Sequence, residues 1–187
     1  MRPVKADWSR KVPAITFWAQ DFADSAVRQR LKSGLPQTLV TRVYSYREGD
    51  DNKPVAISIL SCRVVYDLWG ETFQVQLQKV DDTRVLFAES AEAVARLCLI
   101  PNNLMVGTKA DYAKLRGKAL YFAVIVEFNP MSDSTVERVR RWIARSGESG
   151  QLTSDAFFGS FVSIFVGRKM GSAERTLRFR SPAVWVP

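Results

Sequence analysis

The residues of this 187-residue chain that could do chemistry are two pairs of adjacent carboxylates and a set of arginines, and histidine is absent. Asp50-Asp51 and Asp81-Asp82 could act as acid and base or bind a cation, but each pair lies in a segment typical of a solvated turn. Without histidine, the commonest general base and the commonest metal ligand are missing. No signature of a phosphate-binding loop, a zinc site or a serine nucleophile occurs. We therefore expect a protein that is not an enzyme and that holds no cofactor and no metal.

Positive charge is concentrated in the C-terminal third. The chain has 27 Lys and Arg against 19 Asp and Glu, a net charge of +8. Residues 135–180 carry nine basic and four acidic residues, which leaves five of those eight charges there. Such an excess attracts anionic partners, so we expect this third to bind a protein partner or an anionic surface such as lipid headgroups. The candidate binding residues are Arg138, Arg141, Arg145, Arg168, Lys169, Arg178 and Arg180.

The arginines of residues 135–145 also allow a different function. Val136, Val139 and Ile143 are spaced for one face of a helix, and the arginines fall largely on the other face. These arginines could contact phosphates, and Trp142 could stack on a base. A solvated charged face with Trp142 packed inward is the more common case, so nucleic-acid binding is the alternative function.

The segment Asp155 to Val166, DAFFGSFVSIFV, is almost entirely apolar. On a helix its apolar residues fill a broad arc, which predicts burial in the core. Because Arg168-Lys169 follow, a membrane-surface anchor or a protein interface also fits, and the residues alternate as a strand would as well. The phenylalanines in question are Phe157, Phe158, Phe161 and Phe165.

The remaining pattern predicts an α+β fold, with an antiparallel β-sheet or β-sandwich and three or four short packed helices. Residues 1–13 indicate a flexible arm, and residues 14–187 a single globular domain. Alternating apolar residues predict strands of one sheet system at Thr38 to Tyr46, Thr72 to Val80 and Leu120 to Phe128. Helices are predicted to begin after Asp24 or Ser25 and after Ser90.

Two details of this pattern concern residues 55–66 and the cysteines. Val55 to Ile59 and Leu60 to Tyr66 alternate in opposite phases, which predicts a β-bulge near Leu60. Cys62 and Cys98 have apolar neighbours, which favours buried free thiols, although one disulfide between them fits too. No window reaches the ~18 apolar residues of a spanning helix, and no signal peptide is visible in this chain.

Two stretches resemble the bacterial domain family of unknown function DUF4390. RLKSGLPQTLVTRVYSY and the Tyr66-Asp67-Leu68 sequence leading into Phe73 and Val75 are similar to that family's helix, break and strand pair. The similarity covers roughly residues 15–128, while the region after Asn129 resembles uncharacterised proteins of myxobacteria-like lineages. The resemblance implies a periplasmic or cell-envelope setting and brings no catalytic residues. The residues that match the family's pattern are Gly34, Pro36, Thr38, Tyr66, Asp67, Leu68, Phe73, Val75, Phe87, Ala91, Ala93 and Leu97.

Overall fold

The computed structural model describes residues 1–79, 82–130 and 173–187. Within these ranges the chain forms ten β-strands, three α-helices and one short 3-10 helix. The strands are β1 (Lys5–Asp7), β2 (Ala14–Thr16), β3 (Gln37–Arg47), β4 (Ala56–Asp67), β5 (Thr72–Gln78), β6 (Thr83–Ala88), β7 (Leu104–Met105), β8 (Ala119–Phe128), β9 (Arg175–Arg180) and β10 (Val184–Trp185). The helices are the 3-10 turn Gln20–Phe22, α1 (Ser25–Leu31), α2 (Ala91–Leu99) and α3 (Lys109–Tyr112).

The described strands form two antiparallel sheets. The larger sheet has the order β10-β8-β3-β4-β5-β6, and β9 pairs with β8 as well. The smaller sheet has the order β1-β2-β7. The predicted antiparallel α+β class is therefore confirmed. The three segments predicted to share a sheet are β3, β5 and β8, and all lie in the larger one.

The core lies on one face of the larger sheet. A disulfide joins Cys62 of β4 to Cys98 of α2, which places α2 on the face to which Cys62 points. Val27 and Leu31 of α1 enter the same hydrophobic core, and Tyr112 of α3 joins it. All three described α-helices thus pack on this face, which we call the helix-bearing face. The bulkiest fully buried side chains are Phe17, Phe73, Phe122, Phe128, Ile15, Leu31, Leu39, Leu99, Leu104 and Leu120.

Polar side chains define the starts of the two longer helices, as predicted. The Asp24 carboxylate accepts a hydrogen bond of 3.1 Å from the Val27 backbone N–H at the start of α1. The Ser90 hydroxyl accepts one of 3.1 Å from the Ala93 N–H at the start of α2. Each side chain thereby satisfies a backbone donor that has no partner inside the helix.

The two cysteines are not free thiols, so the favoured sequence interpretation is wrong. Both are about 1% exposed, and their Cα atoms are 5.7 Å apart, within the range that a disulfide spans. The sequence could not decide between the two states because the pairing depends on how α2 packs against β4. Burial, which the apolar neighbours did indicate, is confirmed.

The predicted bulge near Leu60 is also wrong. β4 pairs with β3 in one continuous register, with Ile59 opposite Arg42 and Leu60 opposite Thr41. Ile57 and Ile59 point to the face opposite Leu60 and Cys62. The two phases arise because this central strand carries apolar side chains on both faces.

The N-terminal residues are not simply an arm. Lys5–Asp7 pairs with Ala14–Thr16, and Val12 is 2% exposed within the core. Of the charged and proline residues that suggested flexibility, Pro3, Lys5, Asp7, Arg10 and Lys11 are exposed, whereas Pro13 is buried. None of the helices in the described ranges is both long and apolar enough to cross a membrane.

Candidate interaction surface

The second face of the larger sheet carries four arginines. Arg42 of β3 pairs with Ile125 of β8, which in turn pairs with Arg178 of β9. Directly paired residues share a face, and every second residue of a strand returns to it, so Arg180 lies on this face too. Arg63 follows Cys62 on β4, and Cys62 points to the helix-bearing face. Arg63 therefore points to the second face, as Arg42 does. We call this surface, defined by Arg42, Arg63, Arg178 and Arg180, the arginine face.

Arg42 forms a buried ion pair with Glu127. Their residues are 8% and 2% exposed. Burial lowers the pKa of the Arg42 guanidinium, and Tyr44 acts in the opposite direction. Two charges this deeply buried are stable only as partners, so the pair has a structural role at the centre of the arginine face.

Arg180 belongs to a cluster of tyrosines and acids. Its guanidinium carbon lies 3.8 Å from the centroid of the Tyr121 ring, and the group contacts the Glu48 carboxylate at 2.5 Å. The Tyr121 ring also stacks on Tyr46 with centroids 5.3 Å apart, and its hydroxyl donates to Asp51 at 2.6 Å. Burial, followed by the bond to Asp51, raises the pKa of the Tyr121 hydroxyl. With Tyr121 only 5% exposed, this cluster fixes Arg180 and offers no open ring face at that position.

Arg63 and Arg178 are the two exposed members of the arginine face. Within residues 1–79, 82–130 and 173–187 neither forms an ion pair. Their strands, β4 and β9, are separated by three strand spacings, or about 14 Å. Three half-buried apolar side chains share this face: Val40 of β3, between the two strands; Ile125 of β8, directly opposite Arg178; and Ile59 of β4, four residues from Arg63. Apolar side chains flanked by exposed arginines are typical of a protein interface.

The arginine face continues across β5 and β6 as a polar row and an apolar edge. Gln74, Gln76 and Gln78 are exposed, as expected for the solvent-facing side of β5. Gln74 pairs with Phe87 and Gln76 pairs with Val85, so both apolar residues share this face. Phe87 is 73% exposed and Val85 50% exposed. This edge therefore offers apolar area that the described fold does not cover.

A depression of about 320 Å³ lies at the end of the face where β3 turns towards β4. The Arg47 guanidinium contacts the Asp50 carboxylate at 2.8 Å, and Glu48 contacts Arg180. These pairs balance each other, which leaves Lys118 as the one charged lining residue without an ion-pair partner among the described residues. Its lining residues are Arg47, Glu48, Gly49, Asp50, Lys118 and Ala119.

The structure places only part of the predicted binding set. Arg178 and Arg180 alternate with inward-pointing Leu177 and Phe179 on β9, an alternation typical of an edge strand. Sequence reasoning missed Arg42 and Arg63, although each occupies the phase opposite the core residues of its strand. Candidates outside the described residues are Arg138, Arg141, Arg145, Arg168, Lys169, Phe157, Phe158, Phe161 and Phe165.

No metal-binding cluster is formed by the described part of the chain, counting groups of three or more Cys, Asp or Glu side chains. Whether the protein binds a metal stays a prediction. Comparison of the chain with protein-family models, with curated proteins and with solved structures finds no match in any of the three. The resemblance to the DUF4390 family therefore also stays a prediction.

Proposed function

We propose that this chain is a non-catalytic bacterial cell-envelope domain that binds an acidic protein partner through its arginine face. The observation that carries the proposal is that exposed Arg63 and Arg178 share one sheet face with half-buried Val40, Ile59 and Ile125. Arginine and apolar side chains are enriched where proteins bind each other. The net charge of +8 favours an acidic partner because it accelerates the encounter with negative surfaces.

The disulfide supports the envelope setting. Disulfides form and persist in oxidising compartments such as the bacterial periplasm and are rare in the cytosol. The disulfide between Cys62 and Cys98 lies inside the core, so it is a structural bond of the fold. This agrees with the setting that the family resemblance implies.

The proposal retains the basic C-terminal third but extends the binding site to other strands. Arg178 and Arg180 come from that third, whereas Arg63 comes from β4. Arg180 already contacts Glu48 and Tyr121. We therefore expect it to hold these two side chains in place rather than to contact the partner. Arg63 and Arg178 are the residues expected to contact the partner directly.

Nucleic-acid binding is the second candidate, favoured by the presence of tyrosines beside arginines on one sheet face. Sheet-based nucleic-acid binding uses aromatic rings on which bases stack. Tyr121 is unsuited to this because Arg180 covers its ring, and Tyr44 is only 4% exposed. An acidic protein partner therefore ranks first.

The test compares two anionic probes, poly-L-glutamate and a single-stranded DNA oligonucleotide, by fluorescence anisotropy at low and high salt. We expect the protein to bind poly-L-glutamate more tightly than the oligonucleotide. Charge reversal in the double variant Arg63→Glu/Arg178→Glu should weaken binding about tenfold or more, since it removes two cations and adds two anions to the interface.

Arg96→Glu is the matched control for the single variants Arg63→Glu and Arg178→Glu, because each of these three reversals changes the net charge by the same two units. Arg96 is exposed on α2, on the helix-bearing face, so its reversal changes the net charge but not the proposed site. We expect the affinity of the Arg96→Glu variant for poly-L-glutamate to stay within about threefold of that of the unmodified protein. Equal weakening by Arg96→Glu and by the single reversals Arg63→Glu and Arg178→Glu would overturn the assignment to the arginine face. Tighter binding of the oligonucleotide would replace the first candidate with the second.

A further inference from the structure

The two edges of the larger sheet differ in how they are protected. β9 carries Arg175, Arg178 and Arg180, and the backbone N–H of Arg2 donates to its Arg180 carbonyl at 3.0 Å. Charged side chains and covering segments are the usual means by which proteins prevent an edge strand from pairing with another chain. This edge is therefore blocked.

β6 lacks these protections. In the part of the chain that the structure describes, β6 pairs with β5 on one side and ends the sheet on the other. Its one charged residue is Arg84, whose guanidinium contacts Asp82 at 2.7 Å. Val85 and Phe87 are exposed beside this free edge, and the strand contains neither proline nor lysine.

We propose that β6 pairs with β6 of a second copy of this chain, in antiparallel orientation about a two-fold axis at Leu86. In this register Val85 of each copy faces Phe87 of the other, so two exposed apolar pairs form on the arginine face. Arg84 faces Ala88, and no like charges face each other. An axis at Arg84 would instead place two guanidinium groups opposite each other, which is unfavourable.

A second copy fits because the strand is complementary to itself. Antiparallel pairing places the two-fold axis perpendicular to the sheet, so both copies present their arginine faces on the same side. The outward backbone groups of β6 would find partners, and Phe87, 73% exposed in one copy, would be covered. A strand of six residues buries less area than the ~1,600 Å² of a standard interface. We therefore expect a weak dimer whose population rises with protein concentration. This inference does not depend on the proposed function.

Sedimentation velocity measures the association directly, over protein concentrations from about 5 to 300 μM, a range chosen for an interface of this size. The unmodified protein should shift from monomer to dimer. Phe87→Lys and, separately, Val85→Lys should each weaken dimerisation about tenfold or more, because a lysine replaces an apolar contact at the edge. Both side chains point away from the core, and circular dichroism of each variant verifies that the fold is retained.

Trp185→Lys is the matched control. Trp185 is 68% exposed, close to the exposure of Phe87, but it lies on β10 at the opposite side of the sheet. We expect this variant to dimerise as the unmodified protein does. A protein that remains monomeric throughout the range would overturn the proposal. A dimer that survives Phe87→Lys and Val85→Lys, or that is lost in Trp185→Lys, would also overturn it.

Discussion

At the scale of single residues, the four arginines of the arginine face have three different environments. Arg42 is buried with Glu127, Arg180 lies against Tyr121 and Glu48, and Arg63 and Arg178 are exposed. Their sequence contexts are alike, since each alternates with core residues along a strand. The difference arises from what the neighbouring strands place beside them. Only the exposed pair has charge available for a partner.

The buried pair leads to a stability prediction. Glu127→Ala should lower the free energy of unfolding by about 3 to 5 kcal/mol, because it removes the buried carboxylate that forms an ion pair with the Arg42 guanidinium. The double variant Arg42→Leu/Glu127→Leu should lose less than the two single leucine variants together, because no charge then remains buried. Urea unfolding of the unmodified protein, the two single leucine variants and the double variant gives the coupling energy, and Glu127→Ala is measured in the same way. A loss below about 1 kcal/mol in Glu127→Ala would contradict the prediction.

At the scale of elements, the turn between β7 and α3 depends on a glycine. Gly107 has a φ of +77°, which favours glycine over residues with a Cβ atom. A Cβ atom there would also collide with the Ala56 side chain at the start of β4. The glycine therefore permits both the backbone conformation and the close approach of this turn to the sheet.

Gly117 allows these two effects to be separated. Its φ is +70°, but a Cβ atom there would meet nothing within 4 Å. Gly117→Ala should therefore cost about 1 to 2 kcal/mol from backbone strain alone. Gly107→Ala should cost more, by about 1 to 3 kcal/mol, since the turn must also shift away from Ala56. Thermal and urea unfolding measure both, and equal losses would show that the contact with Ala56 is unimportant.

At the scale of the whole molecule, one covalent bond joins the sheet to the helix that covers it. The disulfide between β4 and α2 spans 36 residues of sequence, including β5 and β6. It holds together the half of the sheet that carries the glutamine row and the free edge. The proposed dimer contact and part of the arginine face therefore lie on a cross-linked unit.

Removal of this bond should be costly for the whole fold. By the chain-entropy model, a cross-link across 36 residues stabilises the folded state by about 4 kcal/mol. Cys62→Ala/Cys98→Ala should unfold at a correspondingly lower urea concentration. Addition of dithiothreitol should destabilise the unmodified protein but not the double variant. If the unmodified protein is equally stable with and without the reductant, and mass spectrometry shows that the bond has been reduced, the prediction fails.

The sequence alone determined the strands that follow a clear alternation and the helices that begin with a capping side chain. Leu39, Thr41 and Val43 on β3, and Val124 and Val126 on β8, are buried at every second residue because one side of each strand faces the core. Asp24 and Ser90 act on backbone groups within three residues, so local sequence is enough to predict them. The α+β class follows from these local patterns.

Only the tertiary structure decided which distant residues meet. The register of β3 against β4 and β8 brings Arg42 beside Glu127, residues 85 positions apart, and no local pattern encodes that distance. The packing of α2 on β4 brings the two buried cysteines close enough to form a disulfide, so they are not free thiols. The arginine face and the free edge of β6 likewise depend on strand order, because it is pairing between remote segments that determines which side chains share a surface.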